Sequence, residues 1–328
     1  MAVREVVPLE FQWPTLDPFL FCVHHDDAYP AGNDRLGPAA SLIGRDIGMD
    51  FAGKDGWRMY HGDVVPGFPQ HPHRGFETVT IVRRGLIDHS DSLGATARFG
   101  RGDVQWLTAG QGIQHCEMFP LVNPSGPNPV ELFQIWLNLP AADKMVAPYF
   151  TMLWDRSIPT VQGPGAVVRV IAGRLAEAVA PAPPPNSWAS RADADIAIWT
   201  LHMQAGSTYT LPPAKRGTHR ILYVFRGAAQ IFDRAIASPS GVVVTPDMDT
   251  PISAQAETEI LVLQGRPIGE PVAQQGPFVM NTSEEVQQAF FDYRSTRFGG
   301  WPWPKPDPVH PREAVRFAKH GDGRVETA

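Results

Sequence analysis

The sequence predicts an all-β protein of two domains, and three observations predict it. Gly (30) and Pro (33) make up almost a fifth of the 328 residues, and between them lie short runs rich in Val, Ile, Phe and Trp, the pattern of strands bounded by turns. The length exceeds one usual domain and suits two. A strand-and-turn word, T-V-T-I-V-R-R-G at 78–85, is echoed by R-I-L-Y-V-F-R-G at 220–227, a weak internal repeat at the scale of one barrel.

Composition bounds the function. Hydrophobic residues are 43% and charged residues 19%, a globular balance. The net charge is −6 and the isoelectric point about 6.0, so a duplex of phosphates has no basic stripe to meet. Cys22 and Cys116 are the only cysteines; two make no disulfide framework, and a reducing compartment is expected. The N-terminus, M-A-V-R-E-V-V-P-L-E-F-Q, has neither the apolar core nor the cleavage site of a secretory signal. No apolar run approaches the ~20 residues of a membrane helix. A soluble cytoplasmic protein without direct nucleic-acid or membrane binding is the expectation.

Residues 1–50 are rich in turns, with short apolar runs between Pro and Gly. His24, His25, Asp26 and Asp27 stand together there. Neighbours on a strand point to opposite faces, so the four cannot all bind one ion; the stretch is expected to be a loop without a second metal. His61, ten residues ahead of His71, is a rival ligand of lower rank.

The chemistry concentrates in 71–119. His71/His73 and His115/Glu117 form two pairs of i, i+2 spacing, and residues two apart on a strand share a face. Two such strands meeting inside a barrel would converge four donors on one ion. Neutral imidazole suits Fe, Zn, Cu and Ni, and a carboxylate adds hardness and charge. Four protein ligands close a tetrahedral zinc site, whereas on an octahedral ion they leave two positions open; the residue types permit both. Residues 76–88 alternate as a strand with a hairpin turn at 83–85. D-S-L-G at 91–94 is a second turn, which places His89 at an exposed position. G-R-G-D at 100–103 breaks the chain, and the glycines of T-A-G-Q-G at 108–112 let the backbone pass close to the metal. Cys116, between two ligands, points away from them by parity and reads as a small buried residue. Trp57, Phe76, Trp106 and Phe119 near the motif read as core. E-L-F-Q-I-W-L-N-L-P at 131–140 is a strand whose Gln134 faces either the pocket or a structural hydrogen bond.

Residues 141–165, punctuated by Pro and Gly, read as the connection between domains. Strands follow at 166–173, 196–203, 220–225, 241–245 and 258–264; His202 and His219 stand alone among them. A-P-A-P-P-P-N at 180–186 is a stiff surface loop. N-T-S-E-E-V-Q-Q-A-F-F-D-Y-R at 281–294 is the one good helix, capped by Thr282 or Ser283, with Val286, Phe290 and Tyr293 as its apolar stripe. The Pro-rich tail is expected to lie extended, with its last ten residues disordered.

These words resemble the pirin family of the cupin superfamily. The resemblance rests on H-P-H-R-G-F-E-T-V-T, D-S-L-G, G-D-V-Q-W-L-T-A-G-Q-G-I-Q-H-C-E-M-F and E-L-F-Q-I-W-L-N-L-P, and again on G-R-P-I-G-E-P-V and G-P-F-V-M-N-T-S-E-E-V-Q-Q-A-F-F-D-Y. It is specific over about 55–155 and 260–298 and general elsewhere. It implies a bicupin: two stacked antiparallel β-barrels of jelly-roll type with a short C-terminal helix. The implied division is a metal-binding domain over 1–145, a second cupin without ligands over 146–298 and a tail over 299–328. Pirin-like barrels hold one metal ion, usually iron, through three histidines and a glutamate; by motif these are His71, His73, His115 and Glu117, with Zn, Ni, Cu and Mn left open. Many cupins instead use H-x-H-x-x-x-E, whose Glu position is Glu77 here. On an unbroken strand Glu77 would share the parity of the histidines, so Glu77 and Gln134 are expected behind the ligands or in the pocket.

Three functions are carried forward. The resemblance implies a dioxygenase that opens a flavonol such as quercetin, with Glu117 as the ligand that loosens and accepts the substrate proton. The alternative is a non-enzymatic, metal- or redox-responsive regulator acting through protein partners. The third is a structural metal without chemistry. A small aromatic substrate or a protein is the expected partner, and a monomer the expected state.

Overall fold

In the computed structural model, which describes residues 2–328, the chain forms two units. One gathers the chain up to Val23, Ile135–Pro140 and Arg156–Glu270; the other gathers His24–Gln134, Ala141–Asp155 and Pro271–Ala328. The elements are nearly all strands, with one α-helix, as the turn-rich composition requires.

In the first unit the strand runs read from the sequence recur as Ala166–Ala172, Ala197–Met203, His219–Arg226, Ser240–Val244 and Thr258–Gly265. They are neighbours in a seven-stranded antiparallel sheet. Its edge is β1 (Val3–Pro8), which runs from Val3 opposite Val244 to Pro8 opposite Ser240. Alternate residues (Val168, Val170, Leu201, Leu222, Val224, Ile260, Val262) are buried against Ile231 and Ile252 of a four-stranded sheet. Each such side chain contributes roughly 1.5–3 kcal/mol by leaving water. His202 pairs with Glu257, and His219 with the Asp17 carbonyl.

The second unit is also two antiparallel sheets. One contains, in spatial order, β10 (Tyr149–Leu153), β7 (Val104–Thr108), β4 (Phe76–Arg84) and the parts of β9 (Val130–Asn138) and β2 (Phe19–Asp27) that belong to this unit. The other has the order Val325–Thr327, Phe317–Lys319, β6 (Thr96–Gly100), β5 (Leu86–Asp91), β8 (Ile113–Met118) and β3 (Gly67–His73). Ile87, Phe99, Leu107, Ile113, Phe119 and Leu132 form the core of this unit, and Trp57, Phe76, Trp106 and Phe119 are all buried.

Several expectations are corrected here. His24–Asp27 is the end of β2 rather than a loop; alternation lets His25 and Asp27 bury while Asp26 stays exposed. The stretch 141–165, expected as a connection, carries β10, paired with β7 from Tyr149 opposite Thr108 to Leu153 opposite Val104. The end of the tail is a hairpin rather than disordered. Phe317–Lys319 adds to the edge of β6, with Phe317 opposite Arg98 and Lys319 opposite Thr96, and Val325–Thr327 folds back on it. Arg98, fully buried, supplies the reason: its guanidinium binds Asp88 and donates to the tail carbonyls of His310, Pro311 and Ala314.

The helix α1 (Ser283–Thr296) starts where its sequence signals put it. Thr282 accepts from the Glu285 amide, and Glu285 reaches back to the Thr282 amide, a complete capping box. Val286 is buried, and Phe290 and Tyr293 pack on Phe278 at ring distances of 4.7 and 6.1 Å.

Candidate metal centre

The two ligand pairs meet on adjacent strands. His71 of β3 lies opposite His115 of β8, and Phe68 opposite Glu117, with a bulge between. Residues directly opposite share a face, so His71, His73, His115 and Glu117 project into the space between the sheets. One ligand nitrogen from each of His71, His73 and His115 lies within 4.8 Å of the other two, a group able to hold a metal ion.

The donor set fits a metal by its own chemistry. Both ring nitrogens of His115 are buried with no hydrogen-bond partner, an arrangement that is unfavourable unless something else uses the lone pair. His71 Nδ1 lies 2.8 Å from the Pro69 carbonyl; since a carbonyl only accepts, this nitrogen carries the proton and leaves Nε2 as the donor atom. Burial lowers all three imidazole pKa values, that of His71 to about 4. The rings are therefore neutral at physiological pH, the form that ligates.

Glu117 is not a member of that group. Thr80 Oγ1 is 2.9 Å from its Oε1, the Gln134 amide nitrogen is 3.2 Å from its Oε2, and Thr80 Oγ1 is 2.6 Å from Gln134 Oε1. Burial raises the Glu117 pKa, against the His89 field and these two hydrogen bonds. Thr80 and Gln134 come from β4 and β9, in the sheet facing the one that carries Glu117.

Glu77 is on the other face of β4. The strand with the histidines ends at His73, and β4 begins only at Phe76, so parity cannot be counted across the break. Within β4, Glu77 is three residues from Thr80 and hence points oppositely; it is buried and accepts from Thr108 Oγ1 at 2.6 Å. Phe76 does share the site's face, with its ring 5.1 Å from that of His73.

His89 is the main residue that the sequence reading misplaced. It is fully buried, opposite Glu117 in the β5–β8 ladder, with its ring 5.5 Å from that of His115. Gln105 Nε2 lies 2.9 Å from its Nδ1, Asp91 Oδ2 lies 3.2 Å from its Nε2, and Phe150 stacks on it. The turn starts one residue later than the polar composition suggests, because Asp91 itself still belongs to β5. Parity with His115 across the ladder is a signal that only the pairing reveals.

His61 bonds the Gly48 carbonyl at 2.7 Å and is exposed. Cys116 faces away from the histidines, in a cluster with Leu36, Val65 and Met118, and burial pushes its thiol pKa up. The glycines at 110 and 112 have a different cause from the one expected: a Cβ on Gly110 would meet the Val146 carbonyl at 2.1 Å, and one on Gly112 the Phe298 ring at 2.6 Å. His24, Asp26 and Glu131 also come within 4.8 Å of one another. Arg83 and Arg84 bond Glu131, and Arg84 also bonds Asp26, so two guanidiniums already neutralise those carboxylates.

Mostly-β units of this kind, one with a buried cluster of imidazoles between its sheets, define a bicupin. Comparison with known proteins specifies the family. The Pirin domain description matches residues 2–137, and the Pirin C-terminal cupin domain matches 198–299; the chain belongs to the pirin family. A Pseudomonas aeruginosa protein named provisionally as a quercetin 2,3-dioxygenase is 39% identical over 237 residues, covering 71% of this chain and 79% of its own. Human pirin is 34% identical over 254 residues, covering 73% and 80%. The crystal structure of a quercetin 2,3-dioxygenase from Acinetobacter baumannii superposes with a TM-score of 0.71 at 25% identity, over 91% of this chain and 96% of that one. No helix among the described residues is long and apolar enough to cross a membrane.

Proposed function

We propose that the chain is a metal-dependent dioxygenase of phenolic substrates, with a flavonol such as quercetin as its model substrate and one iron ion held by His71, His73, His115 and Glu117. The observation that carries this reading is the group of three imidazoles, those of His73 and His115 buried and that of His71 half-buried, with both nitrogens of His115 unpaired. The likeness to the Acinetobacter baumannii enzyme and to the Pseudomonas aeruginosa relative supports the substrate class.

A metal bound there would act as a Lewis acid, lowering the pKa of a ligated hydroxyl and orienting the substrate. The chain's own residues do the rest. Burial keeps the three imidazoles neutral, and the Pro69 carbonyl fixes the tautomer of His71. Phe68, half-buried with its ring 6.4 Å from that of His71, offers a flat face to an aromatic substrate. In this reading Glu117 takes the phenolic proton, and its carboxylate has the Thr80 hydroxyl 2.9 Å from Oε1 and the Gln134 amide 3.2 Å from Oε2.

The test is oxygen uptake by iron-loaded protein with quercetin, beside His71→Ala and His115→Ala. Metal-dependent uptake with a ring-opened product, lost in both variants, is the expected result. Absence of uptake from protein shown to hold stoichiometric iron would refute flavonol dioxygenase activity.

A further inference from the structure

The strand that supplies two of the three imidazoles is weakly held by its own ladder. β3 (G-F-P-Q-H-P-H) is the edge of its sheet. Pro69 and Pro72 stand on either side of His71, and neither has an amide proton to donate. The pairing of β3 with β8 is also interrupted, between Phe68 and His71. The ladder alone therefore fixes His71 poorly.

A second hold comes from outside the imidazole group. Gln114 lies opposite Pro72 and next to His115 in the chain, so by alternation it faces away from the imidazoles. Its side chain is fully buried. Nε2 donates to the carbonyls of Arg297 and Gly300 at 2.5 and 2.9 Å. Oε1 accepts from Gln70 Nε2 at 2.7 Å and from the Tyr293 hydroxyl at 3.1 Å. Two donor protons and two lone pairs are all that a side-chain amide has, so its orientation is fixed. Gln70 is the residue inside the interruption, and its backbone amide donates to the Pro306 carbonyl at 2.8 Å. Trp303 Nε1 donates at 2.8 Å to the carbonyl of Asp91, which lies opposite His115 in the β5–β8 ladder. The segment 297–306 thus joins β3, β8 and β5 through bonds outside their ladders. The family description matched to the second half of the chain ends at residue 299, and Gly300, Trp303 and Pro306 lie beyond it.

We propose that Gln114 is a positioning residue: by tying the segment 297–306 to Gln70 it holds the interrupted strand β3 against β8, and so sets the distance of His71 and His73 from His115. The proposal rests on the reading that these histidines hold a metal, and it deepens that reading by naming what keeps the donor group assembled. Ligands held in place by their surroundings bind an ion more tightly than ligands that must be ordered by it. Gln114→Leu keeps similar bulk and removes all four side-chain hydrogen bonds. Gln70→Leu cuts the bridge to β3 and leaves Gln114 on the tail.

The test is Zn(II) affinity, measured by competition with a chromophoric chelator, together with hydrogen exchange of the Gly67–His73 amides in the metal-free proteins. Gln114→Leu is expected to bind Zn(II) roughly tenfold more weakly than the parent and to exchange the β3 amides faster. Gln70→Leu is expected to change both in the same direction while 297–306 stays as protected as in the parent. Where Gln114→Leu fails to fold, judged by circular dichroism, Gln70→Leu, at a half-buried position, carries the test. Zn(II) affinity equal to that of the parent in the folded variants would overturn the proposal even if they melt lower, because a merely structural contact changes stability without reaching the site. A parent that binds no Zn(II) would refute the metal reading; faster β3 exchange in the variants would then still support the hold on the strand, and unchanged exchange would overturn that too.

Discussion

Replacement of Arg98 by Met tests how the tail is held, and its size can be worked out from the contacts. Arg98 is fully buried and bidentate to Asp88 at 2.7 Å through each of Nε and Nη2. Its remaining donors reach the carbonyls of His310, Pro311 and Ala314 at 3.0, 2.7 and 3.2 Å. Methionine keeps much of the apolar stem and removes every donor. The Asp88 carboxylate is then left buried without its counter-ion, which costs about 3–5 kcal/mol. The tail carbonyls are near water and add about 1 kcal/mol at most. For a unit of this size each kcal/mol moves the melting temperature by about 2–4 °C, so the predicted fall is on the order of 10–15 °C. Calorimetry reads it. Limited proteolysis is expected to release the segment after residue 299 early, since Phe317–Lys319 depends on the same edge. Asp88→Asn in the Arg98→Met background should recover part of the loss, because an amide is less costly to bury unpaired than a carboxylate. A melting temperature for Arg98→Met within about 2 °C of the parent would refute the reasoning.

Three further outcomes are expected. His115→Leu should remove metal uptake and yet stabilise the metal-free protein by about 1–3 kcal/mol, because two buried unpaired nitrogens disappear; urea midpoints of metal-free samples check this, and a lower midpoint contradicts it. The buried array in which Tyr60 joins His25 to Asp27, and Arg58 pairs with Asp27, should show opposed pH dependences. Burial raises Asp27 from 3.8 to about 6, so the folded state holds that proton more tightly, and this contribution to stability is full below about pH 4 and lost as pH rises through 6. Burial lowers His25 from 6.5 to about 3, so its contribution is full above 6.5 and lost as pH falls. The two slopes oppose each other between pH 4 and 6; Asp27→Asn leaves only that of His25, and its stability should rise with pH relative to the parent by up to about 1.4 kcal/mol per unit there, whereas a parallel pair of curves would speak against it. Thr282→Ala should destabilise α1 by about 1 kcal/mol through loss of its cap, read as a reduced urea midpoint with an unchanged slope.

Local pattern carried most of what the sequence could say. The i, i+2 pairing of His71/His73 and of His115/Glu117 put each pair on one face, because strand alternation is a property of the backbone itself. The strands of the second half and the cap of α1 were legible for the same reason: their signals lie within a few residues of one another. What failed were arguments that needed continuity or a partner. Glu77 was counted across a break at Arg74 and Gly75, and a one-residue shift inverts the face. His89 was judged by its polar neighbours, yet it is buried because β5 lies beside β8.

By itself the sequence determined the strand-rich class, the family and the donors that line one strand face. Only the tertiary structure decided which residues surround them. Thr80, Gln105 and Gln134 approach from the opposite sheet, β1 pairs with a strand more than two hundred residues away, and the tail joins the edge of the sheet that carries the histidines. The physical reason is that alternation repeats every two residues and is written locally, whereas strand pairing is chosen by the burial of whole faces and has no period along the chain.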